Sequence, residues 1–420
     1  MDRFRIQGPC RLTGDISIAG AKNAALPALA ATLLAEEPIE LSRMPRVRDI
    51  ATMSKLLAHL AVENEKTEDG LRFLPATTSR MDDAPYELVK TMRASVLVLG
   101  PLLTRLGHAR VSLPGGCAIG ARPIDQHLAG LEALGATVLL EHGYVTVTAA
   151  RLRGARFRFS TPTVTGTENL LMAATLAQGT TILENCAREP EIRDLARLLT
   201  KMGARISGAG EETIEIEGVD RLGGAQHAIL PDRIEAGTYL LAAATAGGDL
   251  TIHNVEPADL APLLDKLEEC GCSTEIKETA VRIRRSGDLK PRDVVTAPHP
   301  GFPTDLQAQY MALMTQAEGG STICETVFEN RFQHVPELRR MGAVIEVDGS
   351  SARVHGASAL SGARVMATDL RASACLVLAA LAAEGETTVE RIYHLDRGYA
   401  EMELKLQTLG AQVERISGSS

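Results

Sequence analysis

A cysteine set among glycines is the first place to look for chemistry in this chain. Cys117 lies in Leu113-Pro114-Gly115-Gly116-Cys117-Ala118-Ile119-Gly120-Ala121-Arg122-Pro123. Its glycines loosen the backbone, and Pro123 is placed to open a helix at its first position. Positive charge at Arg122 and the N–H groups of a helix start both favour a thiolate. The other cysteines (10, 186, 270, 272, 324 and 375) stand in apolar, strand-like or turn sequence and read as inert fillers. Cys270 and Cys272 have no second cysteine pair with which to complete a zinc site. From the residues alone, Cys117 is open between a reactive group and one more filler.

Cations at helix starts form a second group. Lys22-Asn23 follows Gly20-Ala21 and precedes an Ala-rich stretch; Met92-Arg93-Ala94-Ser95 and Leu370-Arg371-Ala372-Ser373 are near-copies; Arg331 and Arg397 follow short strands. One such side chain is ordinarily solvated, but several converging would hold a phosphate and a carboxylate. Acids form a third group: Pro231-Asp232-Arg233, Pro303-Thr304-Asp305 and Ala367-Thr368-Asp369. Each reads first as a helix cap or first-turn acid favoured by the helix dipole. Spacing does not say which of them, if any, is a base.

The elements that must position these residues repeat along the chain. A helix ending in a small turn recurs as Leu134-Gly135-Ala136, Met202-Gly203-Ala204, Cys270-Gly271-Cys272, Met341-Gly342-Ala343 and Leu409-Gly410-Ala411, with His59-Leu60-Ala61 as a degenerate sixth copy. The period is roughly seventy residues, long for a solenoid repeat. Each copy carries an Ala-rich helix (24–35, 94–106, 170–177, 239–246, 306–317, 372–383) and then a short β-rich run, preceded in five of the six by a glycine (Gly107, Gly179, Gly248, Gly320, Gly385). These helices are apolar nearly all round, so the pattern predicts helices buried centrally with sheets outside. Six such repeats divide most simply into two domains of three. The second repeat is longer than the first between its strand and its turn, and the extra length falls in the Cys117 loop.

Composition fits that picture. At 420 residues two domains are the natural expectation. Aromatic residues are 3% of the chain and Trp is absent, so the core must come from aliphatic and Ala-rich packing. A net charge of −9 with mixed signs excludes a general basic field for nucleic acid. Seven scattered cysteines suit free thiols in a reducing compartment. No signal peptide follows the charged N-terminus, and the longest apolar stretch is too short to span a bilayer. A soluble, cytoplasmic protein is expected.

Taken together, Gly20–Pro27, Lys90–Ser95, the Cys117 loop, Leu230–Glu235, Pro303–Gln307, Glu325–Arg331, Ala367–Ser373 and His394–Tyr399 resemble the enolpyruvyl transferase family, in its branch that acts on UDP-N-acetylglucosamine at the opening of peptidoglycan synthesis. The resemblance implies an α/β fold of two inverted domains, each of three βαβαββ units with buried helices. The implied division is 22–230 against 1–21 plus 231–420, with the active site in the cleft between them. The implied reaction adds the sugar 3′-hydroxyl to C2 of phosphoenolpyruvate, protonates C3, and then expels phosphate. Carried over residue by residue, Cys117 is the proton donor and Asp305 the base candidate. Lys22, Asn23, Arg122, Arg371 and Arg397 contact phosphoenolpyruvate, with Lys22 and Arg397 also counted as catalytic. Asn23, Arg93, Arg122, Pro123, Ile124, Asp125, Gln126, Pro162, Thr163, Val164, Thr165, Asp305 and Val327 contact UDP-N-acetylglucosamine. Family members with Cys at this loop position are alkylated there by fosfomycin. The resemblance calls for no cofactor, metal, nucleic acid or membrane, and carries no set oligomeric state.

Three rivals stand beside this reading. The sister transferase that acts on shikimate 3-phosphate shares the chemistry but lacks the Pro-Gly-Gly-Cys loop. A Cys-dependent hydrolase needs an oriented His base, and no motif orients His108 or His127, the nearest histidines. A silent repeat scaffold has no need of Lys22, Cys117, Asp305 and Arg397, all of which are present.

Overall fold

The computed structural model describes residues 1–76, 83–90, 92–113 and 124–418. These fall into two compact lobes. The first runs from residue 20 to 230, and the second joins 1–19 with 231–418. Among the described residues each lobe has three four-stranded sheets, and all six sheets share one plan. A short edge strand runs parallel to its neighbour, which then pairs antiparallel with one arm of a hairpin. In the sheet of 180–184, for example, Arg156–Arg158 is the parallel edge and Thr213–Glu217 pairs with Arg205–Ser207 on the far side.

Three sheets are completed by chain from far away in sequence; in one, Leu12–Ser17 is the parallel edge on Gly248–His253. Ala225–Ala228 lies parallel to Ile39–Ser42 and closes the first lobe. Arg3–Gly8 lies between Gly385–Glu390 and Gln412–Ile416, taking the hairpin-arm place in the last sheet of the second lobe.

Inside each lobe three central helices pack on one another. In the first lobe they are α1 (Lys22–Ala31), α2 (Leu99–Leu106, entered through a 3₁₀ turn at Arg93–Val98) and α3 (Val164–Ala174). In the second they are α4 (Arg233–Ala246), α5 (Gln307–Met314) and α6 (Leu370–Ala382). Every residue of α5 is buried, as are residues 24–31 of α1 and 371–381 of α6. Small side chains make such an interior possible. A Cβ on Gly100 would come 2.3 Å from Asn169 Oδ1, so only glycine lets α2 approach α3 this closely.

Two helices start earlier than their apolar runs predict. α3 begins at Val164 and not Leu170, and α4 at Arg233 and not Tyr239. Thr163 and Asp232 cap these starts, so local hydrogen bonding extends each helix back through polar residues. The degenerate repeat also shifts by one residue. Ala61 takes the glycine position with φ +63°, and Val62 N–H bonds to Leu57 O as Ala136 N–H bonds to Leu131 O. The sixth copy is therefore Leu60-Ala61-Val62. Gly135, Gly203, Gly271, Gly342 and Gly410 all sit near φ +100°, which is why the turn residue is so regular.

Candidate active site

The second lobe builds one polar cluster. Asp305 stands in the 3₁₀ turn Thr304–Leu306, whose cap position is Pro303, so its carboxylate is not a helix cap. Arg331 Nη2 lies 2.8 Å from one oxygen and Arg371 Nη2 2.8 Å from the other. Burial opposes the charge, but the two guanidinium groups hold the carboxyl well below the usual carboxylate range. A carboxylate held this way is ionised at neutral pH and weakly basic. Asp232 and Asp369 take the blander role that spacing allowed: each accepts from two N–H groups at its helix start.

Glu325, buried at the end of the strand Gly320–Cys324, joins this cluster to the turn that carries Val327. It accepts from the hydroxyls of Thr296 (2.8 Å) and Thr304 (2.7 Å) and from the N–H groups of Val327 and Phe328. Arg331 Nη1 also donates to Thr304 Oγ1 at 3.1 Å. Asp305, Arg331, Arg371 and Val327 thus belong to one bonded network. Arg397 ends the 3₁₀ segment Ile392–Arg397. Its neighbour Asp396 is gripped by Arg415, at 2.6 and 3.2 Å, which also reaches Glu403 at 2.6 Å.

The first lobe builds a cluster of the opposite character. Lys22 and Asn23 open α1, where no side chain caps the N-terminus. Lys22 Nζ lies 3.3 Å from Asp49 Oδ2, in the first turn of the helix Arg48–His59. Gln126 bridges the start of the helix Asp125–Ala133 to the turn at Ser160 and Thr161, accepting from Ser160 N–H at 2.7 Å and donating to Thr161 Oγ1 at 3.1 Å. This bridge brings Ile124, Asp125 and Gln126 beside Pro162, Thr163, Val164 and Thr165. Asn169 then locks α2 and α3 together, accepting from Gly100 N–H (2.7 Å) and donating to Val96 O (2.9 Å) and to His127 Nδ1 (3.0 Å). Because the amide can only donate there, the neutral ring carries its proton on Nε2, facing Thr165 Oγ1 at 3.2 Å. Burial, with Arg93 nearby, depresses His127 to about 4 against a weaker pull from Asp125.

Cys117, Arg122 and Pro123 lie outside the described residues. Burial pushes the described thiols up where a shift is resolved: Cys10 and Cys272 to about 11, Cys186 to about 12, and Cys270 and Cys375 upward too. They are fillers. Among the described residues no group of three His, Cys, Asp or Glu could hold a metal, and no helix is long and apolar enough to cross a membrane.

Sequence reasoning passed over Asp49, Asn169, Thr238, Gln309 and the bonding of Glu325 and Tyr399. Glu325 and Tyr399 were inside recognisable motifs, but their partners come from distant chain. Asp49 carried only the signal of a first-turn acid.

Comparisons with known proteins agree with one another. The family model for EPSP synthase (3-phosphoshikimate 1-carboxyvinyltransferase) matches residues 6–406. The UDP-N-acetylglucosamine 1-carboxyvinyltransferase of Koribacter versatilis is 57% identical over 99% of this chain and 97% of that protein. The protein of the same name from Sorangium cellulosum is 59% identical over 100% of this chain and 99% of its own. Among solved structures, the enolpyruvyl transferase NikO from Streptomyces tendae matches with a TM-score of 0.88 at 28% identity, covering 100% of this chain and 99% of that one. EPSP synthase from Acinetobacter baumannii matches at 0.76 and 18% identity over 99% and 100%, a likeness of fold.

Proposed function

The chain belongs to the EPSP synthase family of enolpyruvyl transferases, and from that premise we propose that it transfers the enolpyruvyl group of phosphoenolpyruvate to the 3′-hydroxyl of UDP-N-acetylglucosamine, releasing phosphate. The observation that carries this choice of acceptor is the 57–59% identity, across essentially the whole chain, to two proteins named for it. The family model bears the name of the shikimate 3-phosphate enzyme, but the likeness to a solved EPSP synthase is 18% in sequence and speaks for fold alone. Such a reaction places the protein in the cytoplasm, at the entry to peptidoglycan synthesis, and so behind cell shape and division.

In the proposed mechanism the 3′-oxygen bonds to C2 of phosphoenolpyruvate while Asp305 accepts the hydroxyl proton. Cys117, as the protonated thiol, donates a proton to C3, and the C2–C3 double bond becomes the new C–H bond. Breaking the C2–O bond then releases phosphate, and loss of a C3 proton restores the double bond. Lys22, Arg122, Arg371 and Arg397 hold the carboxylate and phosphate, and Asn23 and Arg93 the acceptor beside them. Segments 123–126 and 162–165, with Val327, hold the nucleotide sugar. The Gln126 bridge supports this, because it keeps 124–126 and 162–165 within reach of one ligand.

The test is phosphate release from phosphoenolpyruvate with each acceptor in turn. Release with UDP-N-acetylglucosamine and none with shikimate 3-phosphate is expected; the reverse pattern would overturn the assignment. Fosfomycin should inactivate the enzyme irreversibly with one adduct, mapped by peptide mass to Cys117. An adduct elsewhere, or full activity after treatment, would remove Cys117 from the mechanism.

A further inference from the structure

Tyr399 is 2% exposed and sits in a network of buried hydrogen bonds. Thr238 Oγ1 donates its one proton to Ile234 O at 2.7 Å. In the 2.8 Å bond between Thr238 and Tyr399 the phenol is therefore the donor. Tyr399 keeps two lone pairs, and two donors reach them: Arg371 Nη1 at 3.1 Å and Gln309 Nε2 at 3.3 Å. The same Gln309 Nε2 donates to the backbone oxygen of Asp305 at 3.0 Å and shares its other proton between Tyr399 and Thr238 Oγ1, 3.1 Å away. The phenol is thus held between its acceptor Thr238 and its donor Arg371. Burial keeps the phenol protonated although Arg371 pulls the other way.

Arg371 is the shared member. Its Nη2 holds Asp305 while Nη1 rests on Tyr399. Asp305 before α5 and Asp232 at the start of α4 act on it directly; around them stand Arg331 on Asp305, Glu325 on Thr304, Asp369 at its own helix start with His334 and His394 beside it, and Asp396 and Arg397 on the segment packed against α6. Tyr399 is the uncharged contact that sets where the guanidinium lies in this field.

We propose that Tyr399 is a positioning residue for Arg371: its phenol, seated on Thr238 and Gln309, fixes the guanidinium so that one edge holds Asp305 and the remaining N–H groups serve the phosphoenolpyruvate anion. This rests on the reading of function given above. Two consequences follow from a loosened Arg371. Phosphoenolpyruvate binds more weakly, and Asp305 loses part of the charge that keeps its carboxyl ionised to low pH. Asp305 acts as a base only when ionised, so the acid limb of the rate profile should move to higher pH, toward the ordinary carboxylate range.

The experiment compares the full-length wild type with Tyr399→Phe and Thr238→Val. It measures KM for each substrate, kcat, the pH profile of kcat/KM, the thermal midpoint, and calorimetric binding of phosphoenolpyruvate. Tyr399→Phe should raise the phosphoenolpyruvate KM and Kd by roughly tenfold, the loss of one hydrogen bond to a charged group. The KM for UDP-N-acetylglucosamine should stay near the wild-type value, and the acid limb should move up. Thr238→Val, which keeps the phenol but removes its acceptor, should shift the same readouts in the same direction by less. A lowered thermal midpoint with unchanged phosphoenolpyruvate affinity and an unmoved acid limb would mean a merely structural tyrosine and would overturn the proposal. Should Tyr399→Phe not fold, the same null result in Thr238→Val overturns it. A wild type that released no phosphate with either acceptor would sink the reading of function, and the calorimetric comparison would still decide the positioning role.

Discussion

The two lobes share a plan of repeats, yet two central helices of each begin with different chemistry. In the first lobe, α1 and the turn into α2 start at Ala21 and Met92 without a side-chain cap among the described residues, and their first residues are Lys22 and Arg93. A cation there works against the helix dipole. In the second lobe, α4 and α6 are closed by Asp232 and Asp369, while the turn before α5 presents Asp305 to two arginines. One scaffold, used six times, thus carries cations at uncapped helix starts in one lobe and carboxylates held by N–H groups or arginines in the other. Placing Lys22 against the dipole costs some stability, and that cost is intelligible if the residue is there for an anion.

The comparison breaks first on kinetics. Asp305→Asn should lower kcat by roughly 10²–10⁴-fold, the usual worth of a positioned base, with a small change in the phosphoenolpyruvate KM. Lys22→Met should instead raise that KM by about tenfold or more, because it removes a charge-assisted contact. Steady-state rates for both variants decide the matter: if both moved the same parameter, the division of labour between the lobes would be wrong.

Acid unfolding sharpens the comparison next. His127 in the first lobe and His334 in the second are both held down to about 4, chiefly by burial. An unfolded histidine takes its proton near pH 6.5, and these take theirs near 4. Between those values the unfolded chain binds more protons, so stability is complete above about pH 6.5 and declines as pH falls toward 4. For His127 the loss across that window is on the order of 3 kcal/mol. Denaturant titrations at several pH values should show this slope, and His127→Gln should flatten the part that belongs to the first lobe. A slope unaltered by that substitution would assign the acid sensitivity elsewhere.

Capping gives the smallest effects. Asp369→Ala and Asp232→Ala should each lower stability by about 1 kcal/mol, read as a shift in the denaturant midpoint. Thr163→Ala should cost less, since its single capping bond is long at 3.3 Å. A larger loss at Thr163 than at the aspartates would contradict the ranking of these caps by their hydrogen bonds.

Much of the fold was legible because its punctuation is physical. A turn residue near φ +100° is glycine five times over, and the Ala-rich helices declare their burial by having no polar face. The sixth turn was read one residue early because Ala61 adopts the left-handed conformation without being glycine. The site was less legible. Three aspartates sit in near-identical helix starts, and only the arrival of Arg331 from 26 residues away and Arg371 from 66 separates Asp305 from two caps. His127 and Asn169, 42 residues apart, likewise form a pair that no local pattern announces. Where function depends on a neighbour brought by tertiary packing, spacing shows the candidates and not the choice.

The strand Arg3–Gly8 is synthesised well before Gly385–Glu390 and Gln412–Ile416, the strands it pairs with. The first lobe, by contrast, takes its described residues from 20 to 230 and closes when Ala225–Ala228 meets Ile39–Ser42. During synthesis the first lobe has all its strands while the second is still being made. Throughout that interval the apolar faces of Phe4 and Ile6, fully buried at the end, have no partner. The second lobe is therefore the one that carries an unpaired apolar strand for longer, and Gly385–Glu390 with Gln412–Ile416 act as the latch on Arg3–Gly8.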